Sequence, residues 1–359
     1  MRNVTIDDIA KELGVAGSTV SRALHDDQRI SEPVKQQVKR AAARMGYVPN
    51  IAARGLRTGQ SRIIGFLVRD IRDGLSTEMI PGIEAACAAK DYGLLVCNAG
   101  DDPGQERYYL RMLQQRRVDG ILVMTPSSAS PDSYLAITRG TPVVLIDATL
   151  DQDSMSAVSV DHVTGLYLAT RHLLELGHRH IALISGPLHL SPCSNSARGY
   201  KAAMAEAGVP AEEHSVVVMG RTDIAAGYDS MMGILRIAPQ PTALASVSDL
   251  MAAGALEAAR SHGIRVPDDF SIVGYDDIPL GALLSPPLTT VNQDKDALAR
   301  VSVELLLEEI QAPERAHRQV LLTPSLVVRG STGRAPGLVE ESVSGNGRHT
   351  NRRPAHPAR

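Results

Sequence analysis

Residues 14–24 read Gly14-Val15-Ala16-Gly17-Ser18-Thr19-Val20-Ser21-Arg22-Ala23-Leu24. Upstream of this stretch, apolar residues recur at helical spacing behind Thr5, a residue type that caps helix N-termini. A glycine at position 14 is typical of a helix end. The stretch therefore predicts a helix that ends at Gly14, a tight turn, and a second helix over 18–24. With a third predicted helix over 31–45 that closes at Gly46, this spacing is that of a helix-turn-helix head.

The second helix is the one that reads DNA in such a motif. Ser18 and Arg22 lie four positions apart and share one face, whereas Val20 and Leu24 point inward. An arginine in this place can donate two hydrogen bonds to guanine O6 and N7. The alternative is that Arg22 only solvates a helix surface, and the residues alone leave both open.

A short basic segment follows the third helix. Pro49 ends one element and Asn50 can cap another, which predicts a hinge helix over 50–60. Isolated helices shorter than ~12 residues are marginal in water, so we expect this one to form only with support. Leu56 beside Arg54 and Arg57 suits a wedge that unstacks a base step in the minor groove while the arginines hold phosphate.

From Arg62 onward, apolar runs of strand length alternate with helical periodicity, which is typical of parallel sheets covered by helices. We predict an α/β core over 61–330 with two doubly wound parallel-sheet lobes behind an all-α head over 1–49. The first lobe spans about 61–160 plus 291–322, and the second about 161–290 plus 323–330. The less regular stretch near 151–161 is interpreted as a crossover, and 331–359 as a disordered tail. The predicted strands are 63–68, 94–97, 121–124, 143–146, 181–185, 216–219, 243–247 and 271–273.

Charge is segregated along the chain. The net charge is -3 at pH 7. Counting Lys and Arg against Asp and Glu gives net +4 for residues 1–60, +3 for 331–359 and -10 for the residues between. A basic head on an acidic body is expected where one end of a protein meets phosphate.

Composition argues against several classes of protein. No apolar run approaches the ~18 residues of a membrane span, and the first ten residues hold no apolar signal core, so we expect a soluble, cytoplasmic protein. The three cysteines show no C-x-x-C spacing and are interpreted as packing residues. Because nucleotide-loop, zinc-protease and hydrolase motifs are missing, we predict no catalytic site, no metal and no cofactor. His172, His178 and His180 are interpreted as surface or helix-terminus residues.

Several segments together resemble the lactose-repressor/galactose-repressor (LacI/GalR) family of transcription regulators. They are Val4-Thr5-Ile6-Asp7-Asp8-Ile9-Ala10, Thr19-Val20-Ser21-Arg22-Ala23-Leu24, Gly46-Tyr47-Val48-Pro49-Asn50, Leu56-Arg57-Thr58-Gly59, Gly274-Tyr275-Asp276-Asp277 and Leu288-Thr289-Thr290-Val291. The resemblance extends to about Gly330. It implies a homodimeric repressor that binds double-stranded, near-palindromic operator DNA and inserts paired hinge leucines at its centre.

Family positions carry over residue by residue. Ser18 and Arg22 match base-reading positions, and Thr19, Ser21 and Tyr47 match phosphate contacts. Asn50, Arg54, Leu56 and Arg57 match the hinge that contacts DNA. Two residues depart from the family: Ala16 stands where a capping serine is common, and Gly17 offers no side chain at a base-reading position.

The resemblance also implies a core like that of periplasmic sugar-binding proteins, in which a small-molecule effector binds between the lobes. The matching positions are Asp70, Ser76, Thr125, Asp147, Arg221, Thr222, Asp249 and Asp276. For any single aspartate here, helix capping or a turn is the alternative. Ser196 stands where many relatives have an arginine, and the chain has no Trp and only two Phe, so the effector is left open among sugars, nucleosides and related metabolites.

Two other functions share parts of this pattern. A cytoplasmic small-molecule binding protein would have the core but no use for the head. An architectural DNA binder would have the head, but its footprint would be independent of sequence. The expectation that accounts for both halves is a sequence-specific transcription regulator.

Overall fold

The structure is a computed structural model that describes residues 4–47, 60–100, 102–124, 131–148, 154–209, 216–237 and 240–336. The chain divides between Arg62 and Ile63 into two compact units.

The first unit is a small helical head. Its helices are α1 (Ile6–Leu13), α2 (Gly17–Leu24) and α3 (Glu32–Met45). Thr5 and Asp8 form a capping box at the start of α1, and Gly14 ends this helix with φ at 66°, a left-handed conformation that glycine adopts at little cost. The predicted helices are confirmed, except that α2 begins at Gly17 and Ser31 is the N-cap of α3 rather than its first residue. The apolar core of the head comprises Ile9, Ala10, Val20, Ala23, Val38, Ala41 and Ala42.

The second unit alternates strands with helices. Its strands are β1 (Ile63–Val68), β2 (Gly93–Asn98), β3 (Gly120–Met124), β4 (Val143–Ile146), β5 (Ser156–Val160), β6 (Ile181–Ser185), β7 (Val216–Val218), β8 (Ala243–Ser246), β9 (Ser271–Asp276), β10 (Thr289–Asn292), β11 (Gln319–Leu322) and β12 (Ser325–Val327). Its helices are α4 (Gly74–Ala88), α5 (Pro103–Gln115), α6 (Pro131–Thr138), α7 (His162–Glu175), α8 (Ser191–Glu206), α9 (Ile224–Ile234), α10 (Asp249–Ser261), α11 (Pro279–Leu283) and α12 (Lys295–Gln311).

These strands form two six-stranded sheets, one in each lobe. The strand order is β11-β5-β4-β3-β1-β2 in the first lobe and β12-β10-β9-β8-β6-β7 in the second. All pairings are parallel except that of β10 with β12. Both sheets have apolar clusters on both faces, which is why their strands are nearly continuous apolar runs. The predicted pair of doubly wound lobes is confirmed.

The chain crosses between the lobes three times. The crossovers follow β5 at Asp161, follow β10 at residues 293–294, and lie between β11 and β12 at residues 323–324. The stretch interpreted as an irregular crossover near 151–161 is therefore a fully buried strand over most of its described length. The serines at positions 156 and 159 interrupt its apolar pattern in the sequence, and the Ser156 hydroxyl donates to the Glu309 carboxylate. The lobe boundary predicted at 290–291 falls inside β10, which pairs with β9 and belongs wholly to the second lobe.

The predicted start of the tail at residue 331 also differs from the structure. Ser331 is buried; its backbone carbonyl accepts from the Ile272 amide at 2.8 Å, and its hydroxyl accepts from the Thr289 amide at 2.8 Å. The Ala335 amide donates to the Leu176 carbonyl at 2.9 Å. Residues 331–336 are thus part of the second lobe, and residues 337–359 lie outside the described part of the chain.

Candidate functional site

Helix α2 presents the predicted DNA-reading residues on one surface. Ser18 and Arg22 are exposed, whereas Val20 and Ala23 are fully buried against the other two helices. Thr19 and Ser21 are half-buried beside them. The Arg22 guanidinium makes no hydrogen bond with another described residue, and this leaves all its donors available to a partner.

The rest of the head follows the prediction in part. Tyr47 is half-buried against the head core, and its amide donates to the Ala42 carbonyl at 2.9 Å. Ala16 is the N-cap of α2 and gives it no side-chain hydrogen bond, as expected from the missing hydroxyl. Asn50, Arg54, Leu56 and Arg57 lie outside the described residues, so their DNA contacts stay predictions.

A cavity of about 410 Å³ lies between the two lobes of the core. This is within the range typical of small-molecule sites. Six of the predicted effector residues line it: Asp70, Ser76, Asp147, Arg221, Thr222 and Asp276. Thr125 lies outside the described residues. Ser196 is buried in the cavity wall, and Arg198 is exposed and donates to Asn195 at 3.1 Å.

Asp147 and Asp276 reach the cavity from opposite lobes. Asp147 follows β4, and its Oδ1 lies 2.6 Å from His162 Nε2. Asp276 ends β9, and its Oδ1 accepts from the Gln293 amide. Both have positive φ, 57° and 107°, which is uncommon for residues other than glycine and is tolerated where surrounding contacts hold the backbone. Each carboxylate is left with one oxygen that no other described residue hydrogen-bonds.

The inner wall of the cavity is rich in hydrogen-bond acceptors. Gln293 is 1% exposed, and its Oε1 has no hydrogen-bond partner among the described residues. Burial raises the pKa of Asp276 well above its usual value, with further contributions from the carboxylates of Asp73, Asp249 and Asp147. Burial also raises the pKa of Asp73. Because Asp147 and Asp276 each keep an oxygen that no other described residue hydrogen-bonds, a ligand that brings hydrogen-bond donors is favoured in this cavity.

The rim of the cavity holds ion pairs. Arg72 Nη2 lies 2.7 Å from Asp70 Oδ2, and the hydrogen bond from this guanidinium lowers the pKa of Asp70. Arg221 Nη1 lies 3.2 Å from Asp223 Oδ2. The three side chains other than Asp70 are largely exposed, and exposed pairs of this kind contribute little to stability. They are therefore free to exchange partners with a ligand at the cavity mouth.

The structure does not support the effector role predicted for Asp249, because this carboxylate does not line the cavity. Its Oδ1 accepts from the Thr290 hydroxyl at 2.6 Å and its Oδ2 from the Ile278 amide at 2.9 Å. At 1% exposure, burial raises its pKa to about 6. Asp249 links the start of α10 to β10 and to the segment that leads into α11. This is neither a helix cap, since Ser248 is the N-cap of α10, nor a local turn, because both donors are distant along the chain.

The sequence did not point to several residues that line the cavity: Asp73, His162, Cys193, Tyr275 and Gln293. His162 and Gln293 lie just after the ends of β5 and β10, two strands that the apolar pattern did not predict. Had those strands been recognised, the same rule that placed Asp147 and Asp276 at strand ends would have found them. Cys193 was expected only to pack, and burial raises the pKa of its thiol to about 11.

One histidine was misplaced by the sequence. The sequence predicts a surface or helix-terminus residue at His178, but this side chain is fully buried. Its Nδ1 lies 2.8 Å from the Thr242 hydroxyl and its Nε2 lies 3.1 Å from the Ser271 hydroxyl. This ring links α7 to two strands of the second sheet, and burial lowers its pKa.

The described residues offer neither a metal site nor a membrane-spanning helix. They contain no group of three or more His, Cys, Asp or Glu side chains that could hold a metal ion. No helix among them combines the length and apolar character needed to cross a bilayer.

A helix-turn-helix head followed by a two-lobed core with a polar cleft defines the class of ligand-responsive DNA-binding proteins. A family model described as bacterial regulatory proteins, lacI family, matches residues 5–50, and one described as a periplasmic binding protein-like domain matches residues 170–332. The ribose operon repressor of Haemophilus influenzae is 34% identical over 328 residues, covering 91% of this chain and 98% of the relative. The repressor PurR of Klebsiella pneumoniae is 35% identical over 336 residues, covering 92% of this chain and 98% of the relative.

A solved structure of the lac repressor dimer, bound to operator and an anti-inducer, has a TM-score of 0.83 and 27% identity to this chain, covering 92% of it and all of that chain. The chain therefore belongs to the LacI family of bacterial regulatory proteins. It is a DNA-binding transcription regulator whose core is built to respond to a small molecule.

Proposed function

We propose that this protein is a homodimeric repressor that binds a near-palindromic operator through its two heads and is controlled by a neutral, hydroxyl-rich effector in the cleft. The observation that carries the proposal is the pair of carboxylates of Asp147 and Asp276, which line one cavity from opposite lobes and each keep an oxygen that no other described residue hydrogen-bonds. Sugar hydroxyls donate to carboxylates and amide oxygens in this manner. The role is regulatory rather than catalytic and is exercised in the cytoplasm, where the operator lies.

A sugar fits the cleft better than a purine does. Purine recognition gains from stacking on an aromatic face, but the chain has no Trp, and its two phenylalanines, Phe66 and Phe270, are buried in the lobe cores. The ring of Tyr275 is fully buried, and its hydroxyl lies 3.0 Å from His162 Nδ1. The ribose operon repressor and the repressor PurR are about equally identical to this chain in sequence. Sequence identity therefore does not favour either kind of effector, and the side chains of the cleft are what favour a sugar. We take D-ribose as the first probe.

The operator is tested by selecting bound fragments from genomic DNA and footprinting the purified protein on them. We expect protection confined to a near-palindrome of two half-sites, since a twofold dimer reads symmetric DNA. Protection that is uniform along any sequence would instead show an architectural DNA binder.

The effector site is tested by calorimetric titration of the full-length protein with D-ribose, cellobiose and hypoxanthine. Saturable binding of a sugar that Asp276→Ala abolishes, with a change in operator affinity, is the expected result. Asp268→Ala is the matched control, because Asp268 is an exposed carboxylate outside the cleft. Saturable binding of hypoxanthine alone would overturn the sugar assignment, and binding that survives in Asp276→Ala would overturn the cleft.

A further inference from the structure

His162 stands where the chain first passes from one lobe to the other. It follows β5 and Asp161 and is the first residue of α7, whose apolar face belongs to the second lobe. Its imidazole is 4% exposed and is hydrogen-bonded through both nitrogens. Nε2 lies 2.6 Å from Asp147 Oδ1 in the first lobe, and Nδ1 lies 3.0 Å from the Tyr275 hydroxyl in the second.

The two hydrogen bonds have a defined direction. An ionised Asp147 only accepts, so Nε2–H of a neutral His162 donates to it. In the neutral tautomer with Nε2–H, Nδ1 carries no proton and accepts from the Tyr275 O–H. Both partners fix the same tautomer, as second partners of histidine commonly do.

Of the two hydrogen bonds, only the one between His162 and Asp147 joins parts that move relative to each other when the lobes move. Tyr275 lies against α7 of its own lobe so closely that a Cβ at Gly165 would collide with the phenol hydroxyl. His162 and Tyr275 therefore form one rigid part of the second lobe. Asp147 belongs to the first lobe, faces the cavity, and keeps its second oxygen available to a ligand.

We propose that His162 is a positioning residue that holds the two lobes in the observed arrangement through Asp147, and that a ligand hydroxyl on Asp147 acts on lobe movement through this bond. We name Asp147, His162 and Tyr275 the interlobe clasp. The ligand part of this inference rests on the proposed function, whereas the holding part does not.

The test measures the distance between the lobes by single-molecule energy transfer in the full-length protein. Labels are placed through Arg107→Cys in the first lobe and Lys201→Cys in the second, both at exposed positions. The native cysteines are buried, and Cys193, which lines the cavity, is replaced by Ser in every labelled protein. Two substitutions then distinguish the role of His162 Nε2 from that of Nδ1. The amide of His162→Gln reaches as far as Nε2 and keeps the donor to Asp147, while that of His162→Asn reaches only as far as Nδ1 and loses it.

We expect His162→Asn to lower the ratio of close to separated lobes about 10-fold or more, as for loss of a hydrogen bond to a charged group, and His162→Gln to restore it. Asp147→Ala should match His162→Asn, and the double variant should shift no further than either single variant. Equal shifts in the Asn and Gln variants, or none in His162→Asn and Asp147→Ala, would overturn the clasp.

The measurement needs no effector, so its outcome is independent of whether D-ribose binds. In a parallel operator titration, clasp variants whose lobes separate should change operator affinity. If their lobes separate while operator affinity stays at the wild-type value, the clasp stands and the proposed control of DNA binding by lobe movement fails.

Discussion

At the scale of single residues, Arg22 is placed to distinguish operator from other DNA. It is exposed on α2 opposite the buried Val20, and its guanidinium has no hydrogen-bond partner among the described residues. We expect Arg22→Ala to lose about 1–3 kcal/mol of discrimination per half-site while weak, salt-sensitive binding persists, because base contacts specify and phosphate contacts only position.

The measurement for Arg22 is the ratio of operator to random-DNA affinity at fixed salt. Arg44→Ala is the control, since Arg44 is an arginine of α3 already paired with Glu12 at 2.9 Å. A variant at Arg22 that keeps the wild-type ratio would show that the arginine only solvates its helix.

Asp249 gives a pH-dependent prediction. Its folded pKa of about 6 lies above the ordinary value of 3.8 because the carboxylate is buried. Its contribution to stability is therefore fully present below the unfolded pKa and is lost as pH rises through the folded pKa. We expect the free energy of unfolding of wild type, relative to Asp249→Asn, to fall by about 2–3 kcal/mol between pH 4 and pH 7.

Urea unfolding of both proteins at several pH values checks this. The quantity compared is how the difference in the free energy of unfolding between the two proteins changes with pH. Asp249→Asn lacks one acceptor oxygen at every pH, so this loss adds a constant to the difference and does not alter its trend. A difference that is flat from pH 4 to pH 7 would contradict the burial argument.

At the scale of elements, the caps of α1 and α2 differ in a way that can be measured. Thr5 caps α1 by accepting from the Asp8 amide at 3.3 Å, whereas the N-cap of α2 is Ala16, in an extended conformation without a side-chain hydrogen bond. We expect Ala16→Ser to stabilise α2 by about 0.5–1 kcal/mol and Thr5→Ala to destabilise α1 by about 1 kcal/mol. Amide hydrogen exchange within each helix of the full-length protein measures both.

The two cap variants control for each other. Slower exchange in α2 of Ala16→Ser, with faster exchange in α1 of Thr5→Ala, fits the capping account. No change in either helix would mean that packing against α3 alone sets their stability.

The hinge segment carries a second prediction at this scale, drawn from its sequence. We expect Leu56→Ala to weaken operator binding at least 10-fold without altering sugar affinity, because a wedge contributes only where DNA is kinked. Operator and sugar titrations of the same preparation check it. Operator binding at wild-type strength would remove Leu56 from the interface.

At the scale of the whole molecule, the last described residues decide where the folded core ends. Ser331 and the backbone of 333–335 satisfy hydrogen-bonding groups on Thr289, Ser271 and Leu176. We expect truncation after Gly330 to lower the free energy of unfolding by about 3 kcal/mol or more, because it leaves several buried groups unpaired.

Truncation after Pro336 is the matched control and should leave both stability and the dimer unchanged, as measured by urea unfolding and sedimentation velocity. Residues 337–359 contain no leucine heptads that would join dimers. Equal stability of the two truncated proteins would contradict the role of 331–336, and a tetramer that persists in both would contradict the dimer.

The amino-acid sequence by itself determined the parts whose forces are local. Thr5, Gly14 and Gly46 set the ends of head helices through caps that act within one turn, and the spacing of Ile9, Val20 and Val38 set the face that packs. The apolar pattern also predicted strands β1, β4 and β6 with their observed bounds. A strand that is buried on both faces must be apolar at nearly every position.

Only the tertiary structure decided which polar side chains form the cleft. Asp249 and Asp276 are both aspartates that come after apolar strands. Asp249 accepts hydrogen bonds from Thr290 and Ile278, whereas Asp276 lies at the cavity beside Gln293. His162 follows a strand that its serines hid from the apolar pattern, and its partner Tyr275 is over a hundred residues away in the chain. A helix cap or a turn acts within a few residues, but the role of a buried polar group is fixed by whichever distant donors and acceptors the fold brings within 3 Å of it, and spacing along the chain holds no record of these.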